Sequence, residues 1–279
     1  MPNVAFVNGA FVPLADAKVS IEDRGFQFGD GIYEVIRTYN GRPFALEAHL
    51  SRLERSATAL DLMQPYSRAE WTHHIFEGVK RASYPEAKIY IQLTRGVAPR
   101  DHAYPDEVSP TVVMTIREFH PLDRSVQTAG VETMTIEDIR WGRCDIKSVN
   151  LLANVLARQQ VKKAQVFETI LVKAGLVTEG AVSNVMVVQG GTVVTAPEGS
   201  RILSGVTRAV VLDLALSEGL SIQERFVSQA DLYEADEVFL TGTTVEVLAV
   251  VRIDRKVIRG GRPGPITQRL AAGFTSRVG

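Results

Sequence analysis

Residues 143–148 read Arg-Cys-Asp-Ile-Lys-Ser, and this stretch decides both the fold and the chemistry expected of the chain. It follows a strand-like run over 131–141 and precedes a predicted helix over 150–164. Lys147 therefore lies just before the N-terminus of the predicted helix. A lysine in a partly dry pocket loses its charge more easily, and a neutral amine can form a Schiff base with an aldehyde. The apolar residues that follow it in sequence, and that we expect to surround it, are Leu151, Leu152, Val155 and Leu156.

Composition places the chain among ordinary globular proteins of two domains. It has 279 residues, of which 45% are hydrophobic and 23% are charged, and its net charge is −1. This charge balance argues against nucleic acid and anionic membranes as partners. Cys144 is the single cysteine, which excludes an intrachain disulfide and fits a reducing compartment. With no signal-peptide pattern and no apolar run of membrane-spanning length, we expect a soluble cytoplasmic protein.

Strand and helix patterns mix without the strict alternation of a doubly wound sheet. Asn8-Gly9 between apolar arms predicts a hairpin, and the apolar spacing over 46–62 predicts a helix. A proline-bearing segment over 119–123 predicts a domain boundary. We therefore expect a mixed α/β (α+β) chain with an N-terminal α/β domain over 1–120, a linker and the start of the second domain over 121–133, and a C-terminal α/β domain over 134–279 that carries Lys147.

Several familiar catalytic motifs are absent from the sequence. There is no P-loop and no Gly-x-Gly-x-x-Gly after a strand, which disfavours nucleotide hydrolysis and nicotinamide chemistry. No Gly-x-Ser-x-Gly elbow occurs. The pair His73-His74 lacks the spacing of metal ligands, so we expect no metal site.

Other groups fit a cofactor that carries a phosphate and an aldehyde. Val206 and Thr207 open a predicted helix, where free backbone N–H groups bind anions. Thr243 offers a hydroxyl, and Arg52 offers a rigid guanidinium fork for phosphate. Glu179 suits the nitrogen of a pyridine ring, because a carboxylate there keeps the nitrogen protonated. Taken singly, each group is more often an ordinary cap or a solvated turn residue.

Three motifs carry a resemblance to a known family. They are Glu-Asp-Arg-Gly-Phe-Gln-Phe-Gly-Asp-Gly-Ile-Tyr-Glu-Val over 22–35, Arg-Trp-x-Arg-Cys-Asp-Ile-Lys-Ser over 140–148, and Thr-Glu-Gly followed by Ser-Asn over 178–184. Together they resemble the fold-type IV (class IV) pyridoxal-phosphate-dependent aminotransferases, and within them the bacterial D-amino-acid transaminases. The resemblance extends from the first hairpin to the last.

The resemblance implies a role for each matching residue. Lys147 would bind pyridoxal 5'-phosphate covalently and then move the proton between the substrate Cα and the cofactor. Glu179 would pair with the pyridine nitrogen, and Leu203 would pack against the ring. The residues expected to bind the phosphate are Arg52, Val206, Thr207 and Thr243. The family also implies a homodimer whose site is assembled between the two domains and across the subunit interface.

Substrate choice depends on the loop that contains Arg100 and His102. In the D-amino-acid transaminases, such an Arg-x-His pair comes from the neighbouring subunit and, with a tyrosine, traps the α-carboxylate. Tyr33 is the matching tyrosine here. A trapped carboxylate decides which face of Cα meets the lysine. Two positions depart from the family pattern, since Gly242 and Val182 stand where serines are expected.

The resemblance therefore implies a transaminase that moves the amino group of a D-amino acid, of the D-alanine or D-glutamate type, to a 2-oxo acid such as 2-oxoglutarate or pyruvate. Two half-reactions in a ping-pong order are expected. The alternatives within the class are a branched-chain L-amino-acid aminotransferase, an (R)-amine transaminase and an aminodeoxychorismate lyase. Outside the class, the alternatives are a protein that binds pyridoxal phosphate without turnover and an α/β scaffold without a cofactor.

Overall fold

The structure is a computed structural model that describes residues 3–279. The described chain forms two compact units. Unit 1 extends to His120 and includes Ile146–Asn150, while unit 2 comprises Pro121–Asp145 and Leu151–Gly279. The sequence predicts Lys147 in the second domain, whereas the structure places it in unit 1. The physical reason is backbone pairing across a long sequence separation, which local patterns do not reveal.

Unit 1 is built on a six-stranded sheet with the order β2-β1-β6-β5-β3-β4. Its strands are β1 Val4–Val7, β2 Ala10–Pro13, β3 Gly31–Tyr39, β4 Arg42–Pro43, β5 Ala87–Thr94 and β6 Thr111–Glu118. Its helices are α1 Arg24–Phe28, α2 Leu46–Thr58 and α3 Arg68–Ala82, with a 3-10 turn at Leu14–Asp16. The pairs β1–β2, β1–β6, β5–β6 and β3–β5 are all antiparallel.

Helices α2 and α3 contribute to one apolar core together with the sheet. Leu50 and Leu53 of α2 and Ile75 of α3 are buried in the same cluster as residues of β3, β5 and β6. A capping box joins Ser67 to Glu70 and fixes the start of α3. The Asn8-Gly9 hairpin is present, and both turn residues have positive φ as a tight turn requires.

Unit 2 contains a nine-stranded mixed sheet with the order β12-β11-β10-β13-β14-β7-β8-β9, with β15 paired to β14. Its strands are β7 Val131–Glu137, β8 Glu168–Lys173, β9 Leu176–Gly180, β10 Asn184–Gln189, β11 Thr192–Thr195, β12 Ile222–Glu224, β13 Glu237–Gly242, β14 Glu246–Ile253 and β15 Lys256–Val257. Its helices are α4 Arg124–Ala129, α5 Leu152–Ala164, α6 Val206–Ser217, α7 Gln229–Tyr233 and α8 Pro265–Val278, with a 3-10 turn at Arg259–Gly261. The mixed α/β class expected from the sequence is confirmed.

Three details of the fold differ from the expectation. The stretch over 24–28, which reads as a loop rich in glycine and charge, forms the short helix α1, capped by Asp23 and ended by Gly29 at φ 69°. The helix expected from 150 begins at Leu152. The C-terminal helix α8, whose buried residues Thr267, Leu270 and Phe274 follow helical spacing, was not expected from the sequence. Among the helices of residues 3–279, none is both long and apolar enough to cross a membrane.

Candidate active site

Lys147 is held by the edge of β3. The Tyr33 backbone N–H donates to the Lys147 carbonyl at 2.9 Å, and the Val149 N–H donates to the Gly31 carbonyl at 3.0 Å. The Lys147 N–H donates to Ser56 Oγ of α2 at 3.2 Å. These three bonds fix the backbone of the lysine from two sides. Its half-buried side chain places Nζ 4.2 Å from the centre of the Tyr33 ring, so the structure brings these two predicted site residues together.

Arg52 belongs to a buried cluster with Glu34 and His49. The Glu34 carboxylate accepts hydrogen bonds from Arg52 Nε at 2.7 Å and from Arg52 Nη2 at 2.9 Å. His49 Nδ1 lies 2.8 Å from Glu34 Oε2. All three residues are at most 4% exposed. Arg52 is buried beside the apolar residues Leu50 and Leu53 of α2, because Glu34 of β3 covers its side of the helix.

The charges in this cluster are set by their neighbours. Burial opposes ionisation of Glu34, but the charge and hydrogen bonds of Arg52, together with His49, outweigh it and hold the pKa of Glu34 below its ordinary value. Burial lowers the pKa of His49 by more than Glu34 raises it. Glu34 is therefore an anion and His49 is neutral at pH 7, so the cluster carries an ion pair between Glu34 and Arg52.

Replacing Glu34 with glutamine should destabilise the protein by about 3–5 kcal/mol at pH 7, because the charge of Arg52 would stay buried without its carboxylate. The folded-state pKa of Glu34 is lowered, so its stabilisation is complete above the ordinary value of 4.5 and is lost as the pH falls below it. The difference in the free energy of unfolding between wild type and Glu34→Gln should therefore shrink as the pH falls below 4.5. Denaturant unfolding at several pH values measures this difference.

Glu77→Gln is the matched control, since Glu77 pairs with Arg81 on the exposed surface of α3. It should change the free energy of unfolding by less than about 1 kcal/mol. Equal effects of the two substitutions would contradict the account of the buried cluster.

Arg100 and His102 lie in an exposed loop of unit 1, beside Phe28 of α1. The Arg100 guanidinium is 4.5 Å from the centre of the Phe28 ring, and the His102 ring is 5.3 Å from it. Buried Arg24 donates hydrogen bonds to the carbonyl groups of Asp101 and His102 and thereby anchors the loop. In their own chain, Arg100 and His102 thus pack on Phe28, whereas Tyr33 packs on Tyr90, with ring centres 5.7 Å apart.

Glu179 is the penultimate residue of β9 in unit 2 and is only 4% exposed. Its carboxylate accepts hydrogen bonds from the Asn184 side-chain amide at 2.9 Å and from the Leu203 N–H at 3.0 Å, and it forms an ion pair with Arg140. Arg140 also pairs with Asp138 at 2.8 Å. Convergent donors fix the orientation of the Glu179 carboxylate and bring two predicted site residues, Glu179 and Leu203, into contact.

The start of α6 has no side-chain cap, so its first backbone N–H groups can bind an anion. Gly205 is the N-cap, and no side chain caps the helix. A Cβ atom at Gly205 would lie 1.9 Å from Asn184 Oδ1, so only glycine fits there. Val206 and Thr207 are the first two helical residues, and Thr207 is 4% exposed. The twelve residues of α6 give this end a positive dipole that suits an anion.

Thr243 lies in the turn that follows β13 and is half-buried. Gly242 precedes it, and a Cβ atom there would approach Val245 Cγ2 at 3.3 Å. This part of unit 2 therefore offers Thr243 as its hydroxyl donor but no side chain at 242. Val182, the other departure from the expected pattern, is 60% exposed.

The comparison with known protein families decides the assignment. The family model described as "Amino-transferase class IV" matches residues 31–253. The chain belongs to the class IV aminotransferases. The D-alanine aminotransferase of Bacillus licheniformis is 42% identical over 271 residues, which cover 97% of this chain and 95% of that protein. The D-alanine aminotransferase of Listeria monocytogenes serotype 1/2a is 40% identical over 275 residues, which cover 98% and 95%.

Solved structures of class IV aminotransferases share the fold of this chain. The branched-chain amino acid aminotransferase of Escherichia coli matches with a TM-score of 0.92 and 26% identity, over 99% of this chain and 94% of that one. The T.th. branched-chain amino acid aminotransferase with pyridoxamine 5'-phosphate matches with a TM-score of 0.91 and 28% identity, over 100% and 94%. The resemblance expected from the sequence is thereby confirmed.

Pyridoxal phosphate is the cofactor of class IV aminotransferases, and the groups present in this chain fit it. An aldehyde needs an amine, and Lys147 is a half-buried lysine on a fixed backbone. A pyridinium nitrogen needs an anion, and Glu179 is a buried carboxylate. A phosphate needs N–H donors, and the start of α6 lacks a side-chain cap. Among residues 3–279, no group of three or more His, Cys, Asp and Glu is placed to hold a metal ion.

Some residues of this class IV aminotransferase escape recognition from the sequence. Glu34, His49 and Ser56 have no motif of their own, although His49, Arg52 and Ser56 recur at helical spacing on α2. Arg140 and Asn184 lie within the quoted motifs, but only the structure shows that both bind Glu179.

The apolar residues and the cysteine that lie near Lys147 in the sequence differ in their exposure. Leu152, Val155 and Leu156 belong to α5 in unit 2 and are 69%, 58% and 49% exposed. Their apolar spacing therefore marks an exposed face of α5. Cys144 is half-buried, and burial raises the pKa of its thiol to about 11. The thiol stays protonated at neutral pH, as expected of a packed cysteine and not of a nucleophile.

Proposed function

We propose that this class IV aminotransferase is a D-amino-acid transaminase. It moves the amino group of a D-amino acid of the D-alanine or D-glutamate type to a 2-oxo acid such as 2-oxoglutarate or pyruvate. The observation that carries the proposal is the identity of 40–42% to D-alanine aminotransferases over nearly the whole chain. Tyr33, Arg100 and His102 support it, because they are the residues that the resemblance assigns to the α-carboxylate of a D-amino acid.

Lys147 is the proposed catalytic residue. Its amine would hold pyridoxal phosphate through the aldehyde group and, when free, would take the proton from the substrate Cα. The cofactor, when bound, withdraws electrons from the bonds at Cα. Ser56 and the Tyr33 N–H hold the Lys147 backbone in place, so only the side chain moves when the amine changes position.

Glu179 and the phosphate-binding residues hold the cofactor in place. Glu179 would keep a proton on the pyridine nitrogen, and Arg140, Asn184 and the Leu203 N–H keep its carboxylate in one orientation. Leu203 would pack against the ring. The proposed phosphate ligands are Arg52, Val206, Thr207 and Thr243. Glu34 fixes the Arg52 guanidinium through two hydrogen bonds, so Arg52 loses little freedom when it binds an anion.

The proposed assembly is a homodimer in the cytoplasm. Leu152, Val155 and Leu156 leave an apolar face of α5 exposed, and a second copy of the chain would cover such a face. In this dimer, Arg100 and His102 serve the site of the partner chain, which agrees with their exposure in their own chain. The single cysteine fits a reducing compartment.

The direct test of the reaction is a transamination assay with D-alanine and 2-oxoglutarate. Chiral chromatography should find D-glutamate, and lactate dehydrogenase should detect an equal amount of pyruvate. L-alanine and L-leucine should give little product. Efficient use of L-leucine would instead support branched-chain chemistry, whose solved representatives share the fold at 26–28% identity.

Arg100→Ala should raise the KM for D-alanine about 10- to 100-fold, because a charge-assisted hydrogen bond to the carboxylate is lost. Steady-state kinetics at a saturating 2-oxo acid measure this change. Arg277→Ala is the control, since Arg277 is an exposed arginine of α8 outside the proposed site. A KM for D-alanine that Arg100→Ala leaves unchanged would remove Arg100 from the substrate site.

A further inference from the structure

Gln92 of β5 lies in the same row of the unit 1 sheet as Tyr33 and Lys147. In the antiparallel β3–β5 ladder, Tyr33 pairs directly with Gln92, so the two side chains emerge on the same face. On the other side of β3, the antiparallel bridge between Ile32 and Ser148 puts Lys147 opposite Tyr33, whose N–H donates to the Lys147 carbonyl. Gln92 therefore faces the same side of the sheet as the proposed catalytic lysine.

The side-chain amide of Gln92 presents its N–H groups to solvent. Its Oε1 atom accepts a hydrogen bond from the Tyr90 hydroxyl at 2.6 Å. Burial, together with Tyr33 beside it, raises the pKa of Tyr90 to about 12, so the hydroxyl stays protonated and donates at neutral pH. The Nε2 atom of half-buried Gln92 has no hydrogen-bond partner among residues 3–279 and is not one of their buried unpartnered atoms. Solvent, and hence a ligand, can reach this donor.

The same face of the sheet becomes positive beyond Tyr90. Arg37 of β3, Lys88 of β5 and Arg117 of β6 stand opposite one another in a single row. Arg37 forms an ion pair with Glu86, but Lys88 and Arg117 are exposed and form no ion pair among residues 3–279. Like charges that stand directly opposite each other repel, so this end of the face attracts an anion.

The distance between Lys147 and Gln92 suits a substrate with two carboxylates. The Lys147 Nζ atom lies 4.2 Å from the centre of the Tyr33 ring, and the reacting Cα must lie close to Nζ. Neighbouring strands are about 4.8 Å apart, so the backbone of Gln92 is about 10 Å from that of Lys147. The second carboxylate of D-glutamate extends beyond Cα by two methylene groups and can span this gap, whereas the methyl group of D-alanine ends short of Gln92.

We propose that the Gln92 side-chain amide donates a hydrogen bond to the second carboxylate of D-glutamate and of 2-oxoglutarate. This inference rests on the proposed function and makes Gln92 a specificity-determining residue. Tyr90 orients the amide through Oε1, and the positive charges of Lys88 and Arg117 favour an anionic side chain over a neutral one. Substrates with one carboxylate, such as D-alanine and pyruvate, bind without this contact.

Gln92→Glu tests the proposal, because it keeps the shape and the acceptor for Tyr90 but replaces the donor with a negative charge. The holoenzyme is mixed with D-glutamate or with D-alanine, without a 2-oxo acid, and loss of the absorbance band of the bound cofactor gives the rate of one half-reaction. The substitution should lower kcat/KM for D-glutamate about 100-fold, since a hydrogen bond is replaced by repulsion. It should leave kcat/KM for D-alanine within about twofold, as for a position outside the contact.

A second variant and a binding measurement complete the experiment. Gln92→Leu removes the donor without adding charge and should lower kcat/KM for D-glutamate about tenfold. Calorimetric titration of the holoenzyme with glutarate and with pentanoate, which lacks the second carboxylate, measures binding without turnover. Wild type should prefer glutarate, and both variants should lose this preference. Gln127→Glu is the control, since it adds the same charge at an exposed position of α4 in unit 2.

The ratio of kcat/KM for D-glutamate to that for D-alanine decides the outcome. A ratio that both Gln92 variants leave unchanged would overturn the proposal, and an equal fall with both amino acids would show a merely structural role. If Gln92→Glu does not fold, the ratio in Gln92→Leu decides alone. Wild-type protein that reacts with D-alanine but not with D-glutamate would also overturn the proposal. If wild type reacted with neither, the proposed function itself would fail, which is distinct from a failure at Gln92.

Discussion

Lys147→Ala should lower the rate of transamination about 10⁴-fold or more, because no amine remains to bind the aldehyde or to move the Cα proton. The variant should still fold, since alanine keeps the backbone bonds to Tyr33 and Ser56. Borohydride reduction gives a second measurement. It should attach the cofactor to wild-type protein, and mass spectrometry should find the added group on the peptide that contains Lys147.

Lys162→Ala is the control for this experiment, because Lys162 is an exposed lysine of α5. It should retain activity and the reducible bond to the cofactor. Undiminished transamination by Lys147→Ala would remove Lys147 from the mechanism, as would an added group mapped to another lysine.

Glu179→Gln should lower kcat about 10²- to 10³-fold, since an amide opposite the pyridine nitrogen cannot hold its proton as a carboxylate does. The substitution keeps the shape of the side chain. Arg140 would remain paired with Asp138. Burial raises the pKa of Asp138, but the hydrogen bonds and charge of Arg140 and the hydrogen bond from Thr178 lower it by more, so Asp138 stays an anion. The fold should therefore persist, and circular dichroism with steady-state kinetics would separate the two effects.

Glu137→Gln is the matched control, because Glu137 is an exposed carboxylate at the end of β7. It should keep kcat within about twofold, as is usual for an exposed surface position. Equal kcat values for wild type and Glu179→Gln would show that Glu179 does not serve the ring nitrogen.

Elements with a strong local pattern could be predicted from the sequence. The Asn8-Gly9 hairpin follows from two residues that adopt positive φ, and α2 follows from the apolar spacing of Leu50 and Leu53. Helix α8, which packs against α6 and β14, was not predicted, because only two of its three buried residues, Leu270 and Phe274, are apolar. The unit that holds Lys147 was missed because its pairing partner Tyr33 is far away in the chain.

The candidate site also contains some residues that could be predicted from the sequence and others that could not. Lys147 and Glu179 stand in motifs whose residue types point to their chemistry, and the structure places each in a setting that suits the proposed role. The cluster of Glu34, His49 and Arg52 could not be predicted, because strand β3 and helix α2 must pack before the three side chains meet. Buried polar networks depend on such tertiary contacts, which single-sequence patterns do not encode.

The measurement that tests the central claim most directly is the visible absorbance of the purified holoenzyme, titrated separately with D-alanine, D-glutamate and their L-forms. The account predicts that the absorbance band of the bound cofactor is lost with the D-amino acids and stays with the L-amino acids. This result would establish the first half-reaction and its stereochemistry together. Loss of the band with L-leucine or L-valine, and not with D-alanine, would contradict the account and assign the chain to branched-chain chemistry.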